Sequence, residues 1–407
     1  MNQSPEIRNS QSLIEQRLVG IDILRGLAVL AVVLCHIPHY AIGGFRENIW
    51  FFPSLLMDFG YLGVPLFVLI SGFCIHRRTA ITRATSGKCS LNWVEFWKRR
   101  FWRLYPPYVA AIVLSVSFAL LIHERMPDLA NSIGPDLATH LLMVHNLTAD
   151  YAGGLGNTPF WSLGMEEQLY AFYFLLFLMI RIRNHTVAIS VAAITTIIWR
   201  GATPGLPDAY GLGYWQLWPF NFWLHWALGA LAVDAYFGNC RLPRWCSSMT
   251  YGLLAATAGM LTNRLTFGFL AQTRLAELVD MDSWSGWIPN VSSVGELGFA
   301  VAFFCFLNWC VQAKDHVLLR NSLATGISCI GKISYSVYLI HVPVIFVLEK
   351  YIPFEHSQTE WILRMLIYAP ICLIAGAMFY WLVERWFLAG HCPPLWRSTK
   401  PAANALS

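Results

Sequence analysis

Charge is what this chain has least of. The 28 Lys and Arg and 23 Asp and Glu make up 13% of its 407 residues, about half the share of a soluble globular domain. A water-soluble fold of this length is therefore excluded, because it would need far more polar surface. None of the ten cysteines falls in a segment expected to face outward, so no disulfide framework is implied. No CxxC pair or His-rich spacing occurs, and Cys74-Ile75-His76 is too short and isolated to hold a metal. No small-residue cleavage pattern follows the polar first seventeen residues, so the first apolar run is expected to remain as a membrane helix. No internal repeat and no separate soluble domain is visible.

What is present is apolar length. Hydrophobic residues make up 56% and the mean hydropathy is +0.49. Segments near 20 residues long can cross a hydrocarbon layer of ~30 Å. Ten are expected, over 18–38, 57–76, 104–123, 159–180, 186–200, 219–237, 249–263, 291–312, 333–350 and 362–383. The fold class is thus an all-α polytopic membrane protein. With the N-terminus inside, 20 of the 28 Lys and Arg fall on inner segments, eight of them in 77–103. That excess places both termini in the cytoplasm. A polar tail over 1–17, a transmembrane domain over 18–386 and a second tail over 387–407 follow from this reading.

The first span carries ionisable groups that the membrane makes costly. Arg25 and His36 are eleven residues apart, which on a helix is roughly 16 Å of rise and about 20° of residual rotation. They share one face, one near each end, and such groups usually point into the protein. Arg25 faces either an anionic ligand or Asp22. The second span approaches through Gly60–Phe73, whose Gly and Ser residues permit close helix packing.

Ahead of the third span, Phe96-Trp-Lys-Arg-Arg-Phe-Trp-Arg103 reads as a basic, aromatic interfacial helix. Arg99, Arg100 and Arg103 cluster at helical spacing. The cluster is either a topology anchor on anionic lipid or a phosphate clamp, since guanidinium forks match phosphate oxygens. Its position against a membrane entry argues against nucleic acid. Residues 136–147 read as a surface helix. Thr158 is then a candidate N-cap with Pro159 at the first helical position. Behind it Ser162, Glu166, Tyr170 and Tyr173 form one stripe, and Glu166 and Glu167 are adjacent carboxylates at the head of an apolar span. Glu166 is expected at the depth of His36. Near the end, Ser334, Tyr338 and His341 share a helical stripe. Aromatic and acidic residues at Tyr210, Trp215, Trp218 and 277–287 fit an interfacial belt or a sugar-facing surface.

Five of these stretches in this order resemble the membrane-bound acyltransferase 3 family: Arg25-x10-His36, Gly60–Phe73, Arg100-Phe-Trp-Arg103 with Pro106, Trp161–Tyr170, and Ser334–His341. Ile70-Ser-Gly-Phe73 departs mildly from the family's Leu-Ser-Gly-Phe. The resemblance implies a ten-helix domain that moves an acyl group, acetyl foremost, from cytoplasmic acyl-CoA to a hydroxyl of a carbohydrate or glycolipid. It implies a bacterial cytoplasmic membrane, and a chain without the hydrolase-like domain that larger members carry. His36 and Glu166 map to the catalytic positions, and Arg25, Arg100 and Arg103 to donor binding. His36 is the expected general base, with Glu166 orienting it or holding the acceptor. Ser162, Tyr170, Tyr338 and His341 are supporting residues. The co-substrate is acyl-CoA, and no metal is expected. The rival reading is a proton-coupled transporter of a small anion using the same intramembrane groups.

Overall fold

A computed structural model describes residues 17–38, 56–122, 129–182, 184–204, 215–263, 265–267, 288–313, 316–354 and 360–388. Most of both tails, and the expected sugar-facing positions at Tyr210 and 277–287, lie outside the described residues. Among the described residues every regular element is helical. Helices follow from the apolar runs because, without water in the hydrocarbon layer, backbone groups must be satisfied within each segment.

In chain order the helices are α1 (Val19–His36), α2 (Gly63–Ser86), α3 (Trp93–Ile122), α4 (Leu129–Leu141), α5 (Trp161–Ile182), α6 (His185–Ala202) and α7 (Trp223–Tyr236). They continue as α8 (Met249–Leu261), α9 (Ile288–Gly295), α10 (Leu297–Gln312), α11 (Val317–Arg320), α12 (Ser322–Lys332), α13 (Ser334–Tyr351) and α14 (Glu360–Leu382). By length and composition seven segments can cross a membrane, and an eighth forms if the bent pair α12–α13 is one span. The chain is an integral membrane protein that crosses several times. The expected spans over 219–237 and 249–263 are helices of 14 and 13 residues, α7 and α8, which rise only about 20 Å each.

Three local readings change. The basic segment and the third span are one 30-residue helix that continues through Pro106 and Pro107. The last loop before the ninth span is helical, and α12 turns into α13 by 75° at Ile333. Thr158 does not cap a helix: a 3-10 turn over Thr158–Phe160 precedes α5. Its preceding residue, Asn157, is fully buried and donates to Leu339 O (2.7 Å) and Ser115 Oγ (3.2 Å).

α1 is the hub, packing on α2, α12 and α13, while α2 also packs along α7. Glycine allows the tightest of these crossings. A Cβ at Gly72 would strike Trp226 O, and one at Gly229 would strike Leu69 O. In the same stretch a Cβ at Gly63 would strike Ala28 O, so Gly60–Phe73 also brings α2 close against α1. Buried Val29, Val32, Val68, Tyr173 and Val337 belong to the apolar core around this hub.

Candidate active site

α1, α2, α3, α5 and α13 surround a cavity of about 140 Å³. By water-sized volume that is room for several waters or for part of a chain-like ligand. Seven sequence-predicted residues reach it. Arg25 comes from α1, Arg100 and Arg103 from α3, and Ser162, Glu166 and Tyr170 from successive turns of α5. Tyr338 arrives from α13. The i, i+4 spacing on α5 aims its three side chains the same way. Tyr173, expected on that stripe, instead hydrogen-bonds to His76 Nδ1 and Thr79 Oγ1, both at 2.9 Å.

The cations are held differently. Arg25 does not pair with Asp22, whose carboxylate is taken by Arg17 at 2.5 Å. Its Nη2 lies 3.3 Å from Cys74 Sγ, which also lines the cavity. Arg103 Nη2 sits 3.1 Å from Glu384 Oε1. Glu384 is fully buried, and its Oε2 accepts from Ser336 Oγ at 2.6 Å. Arg100 has no ion pair among the described residues; its guanidinium lies 6.0 Å from the Tyr170 ring centroid, where a ring face attracts a cation.

Glu166 takes a hydrogen bond from Tyr170 OH at 2.5 Å. The same hydroxyl lies 3.3 Å from Ser71 Oγ. Glu166 thus shares the cavity of the arginines rather than contacting His36, as sequence depth suggested. Glu167 does not line the cavity.

His36 and His341 are not cavity-lining. They face each other, ring centroids 5.0 Å apart and planes at 76°. His36 Nδ1 is 2.8 Å from Val32 O, and His341 Nδ1 is 2.8 Å from Tyr338 O. A carbonyl only accepts, so each Nδ1 carries the hydrogen. In the neutral ring each Nε2 then presents a lone pair, and neither has a hydrogen-bond partner among the described residues. This is the tautomer in which an imidazole can take a proton.

Tyr338 joins the two groups. Its ring lies 5.7 Å from that of His341 and 5.9 Å from that of Phe67. Its hydroxyl is 2.5 Å from Ser162 Oγ and donates to Pro159 O at 3.0 Å. The arrangement is a cationic cavity toward the Arg25 end of α1, a neutral histidine pair at the other end, and a Tyr338–Ser162 contact between them.

Sequence reasoning gave no site role to Glu384, Cys74 or Lys332 and read Ser334 only as part of the α13 stripe; all four line the cavity. Glu384 had a signal, a carboxylate ending an apolar span, but its partner lies 281 positions away. A second buried network was missed as well. Asp234 Oδ2 receives His76 Nε2 at 2.9 Å and His185 Nε2 at 2.6 Å. It ties α2, α6 and α7 together.

Comparison with known proteins adds a family match for the sequence. The profile described as "Acyltransferase domain" matches residues 18–381. The chain is similar to O-acetyltransferase OatA of Staphylococcus aureus, 29% identical over 164 residues, 38% of this chain and 24% of that protein. It is also similar to peptidoglycan O-acetyltransferase OatA of Listeria monocytogenes, 30% identical over 183 residues, 42% of this chain and 26% of that protein. The matched part thus spans about a quarter of the length of these relatives. A transacylase named as membrane-bound, BcsY of Komagataeibacter xylinus, is 26% identical over 385 residues, 91% of this chain and 83% of that protein. No solved structure matches the chain.

Proposed function

Because this chain belongs to the acyltransferase domain family, we propose that it transfers an acyl group, acetyl foremost, from acyl-CoA to a carbohydrate or glycolipid hydroxyl. The names of the OatA relatives support an O-acetyl product and a cell-envelope acceptor. The observation that carries the reading is the separation just described. Three guanidinium groups open on one cavity, and two base-ready imidazoles lie beyond Tyr338.

The donor enters with its phosphates toward Arg25, Arg100 and Arg103, from the cytoplasm of a bacterial cell. This orientation follows from the distribution of Lys and Arg, with both termini inside. Glu166 and the Tyr170 hydroxyl hold amide groups of the donor arm. The arm passes the Tyr338–Ser162 contact, which brings the thioester to His36. The acceptor meets it from the opposite side of the membrane.

A hydroxyl becomes a useful nucleophile when a base takes its proton as the new bond forms. His36 Nε2 takes that proton while the acceptor oxygen bonds to the acyl carbon. The carbon–sulfur bond then breaks, and the leaving sulfur receives the proton from the imidazolium. His341 lies against His36 and fixes its ring, and the Nδ1–H to Val32 O keeps Nε2 available. Transfer is direct.

Purified His36→Ala tests the base. It should fold normally, bind acyl-CoA, and lose acyl transfer by roughly 10²–10⁴-fold. Transfer at the unmodified rate would sink the assignment. For the acceptor, the acyl content of surface glycans is compared between deletion and complemented cells. No difference in any glycan fraction would refute a carbohydrate acceptor.

A further inference from the structure

The turn from α12 into α13 leaves a helix start that nothing among the described residues satisfies. The first N–H groups of any helix lack intrahelical acceptors, and a buried helix end without a cap calls for a partner. No side chain caps α13. The first backbone bond recorded into its opening turn is Val337 N to Ile333 O. The turn is buried all the same: Ser334 is 5% exposed and Ser336 fully enclosed.

Two of its three side chains are committed. Ser336 Oγ donates to Glu384, and Tyr335 OH donates to Leu104 O at 3.1 Å. Ser334 is different. It lines the cavity, and its hydroxyl forms no hydrogen bond among the described residues, so it is available to a ligand there.

The corner is also placed beside positive charge. A Cβ on Gly331 would collide with Asp22 O, so the end of α12 rests on the α1 turn just before Arg25. Lys332 is exposed and lines the same cavity. Of the two carboxylates in the cavity, Glu384 is already occupied by Arg103 and Ser336. An uncapped helix N-terminus, a free hydroxyl, an ammonium and a guanidinium together make a site for an oxyanion with several acceptor oxygens.

We propose that the N-terminus of α13, with Ser334 Oγ and Lys332 Nζ, seats the phosphoryl group at the head of the donor's pantetheine arm. This rests on the acyl-CoA reading above. α13 then acts as a ruler. Seven residues separate Ser334 from His341, a rise of about 10 Å, within reach of an extended phosphopantetheine arm. A phosphate held at the first turn therefore sends the thioester past Tyr338 toward the histidine pair.

The test compares binding of 4′-phosphopantetheine and pantetheine, which differ only by the phosphoryl group, to the purified full chain. The unmodified protein should prefer the phosphorylated form at least tenfold. Ser334→Asp should reduce that preference below threefold and leave pantetheine affinity unchanged. It should not lower thermal stability, because a carboxylate complements a helix N-terminus. Lys332→Gln should reduce the preference as well. A preference that survives Ser334→Asp, or equal loss of both ligands, overturns the site. Binding of inorganic pyrophosphate, weakened by Ser334→Asp, with no binding of CoA would keep the anion site and overturn the donor reading. Failure of the unmodified protein to bind any of these phosphates overturns both.

Discussion

Arg100 and Arg103 look interchangeable in sequence, yet the same substitution should do different things at each. Arg103 is 3.1 Å from Glu384, with side-chain exposures of 25% and 0%. At that distance and an effective dielectric near 20, the direct attraction is about 5 kcal/mol. Desolvation of the pair offsets much of it. The quantity that matters is the cost of stranding a buried charge, about 3–5 kcal/mol when one partner is removed. Partial exposure of Arg103 places Arg103→Gln at the lower end, about 3 kcal/mol. Adding Glu384→Gln removes the stranded charge and keeps an acceptor for Ser336, so the double variant should regain about 2 kcal/mol. Arg100 has no such partner among the described residues, and Arg100→Gln should cost below about 1 kcal/mol in stability. It should instead weaken CoA binding by roughly 10–100-fold, the worth of one charge-assisted hydrogen bond. Thermal unfolding in detergent and CoA titration of the three variants give the comparison. If Arg103→Gln melts with the unmodified protein, or if the double variant is no more stable than the single, the ion-pair argument is refuted.

Other perturbations separate the remaining parts. His341→Ala should reduce acyl transfer at least tenfold while CoA affinity stays within threefold, since the ring lies outside the cavity but against His36; loss of CoA binding instead would move it into the donor site. Gly229→Ala should destabilise the fold by about 2 kcal/mol or more, because the new methyl meets the Leu69 carbonyl rather than a movable side chain; an unshifted melting point would contradict that crossing. Cys74 should be alkylated by a small maleimide and protected by CoA, as read by peptide mass spectrometry, since its thiol opens on the cavity with Arg25. Equal labelling with and without CoA would count against donor occupancy there. His145 precedes α5, where burial and the stacked His140 ring push its imidazole down from 6.5 to about 3. The unfolded chain protonates it first, so its contribution is complete above pH 6.5 and shrinks as pH falls toward 3. His145→Asn should therefore flatten the loss of stability between pH 7 and 5, by up to about 1.4 kcal/mol per pH unit; an identical slope would exclude a neutral buried His145.

How much of this was readable depends on which physical quantity carries the information. Apolar length and helical period are written locally, so α1, the α5 stripe and the Ser334–Tyr338 face could be found in one dimension. The period also fixed which side chains of one helix travel together, and Ser162, Glu166 and Tyr170 do line one cavity. It says nothing about which faces of different helices meet. His36 meets His341, and Arg103 meets Glu384, across hundreds of residues. Which faces meet depends on how closely backbones approach, as at Gly72 and Gly229 between α2 and α7 and at Gly331 between α12 and α1. Two local rules also lost to tertiary demand. Asn157 gives its amide to Leu339 O and Ser115 instead of leaving Thr158 to cap α5. Pro106 and Pro107 remain within α3 although each removes a backbone donor.

The placement of Glu166 follows from the same distinction. Counting residues along a span gives depth only if helices run parallel and begin at one level. α5 is preceded by a 3-10 turn, and α13 begins at a 75° bend, so equal counts do not mean equal heights. Glu166 consequently falls on the arginine side of Tyr338, and His36 on the other. The Tyr338–Ser162 contact, which lies between the two groups, joins residues that sequence reading treated as accessory. In the proposed reaction the acyl arm passes this contact on its way from the arginines to the histidine pair.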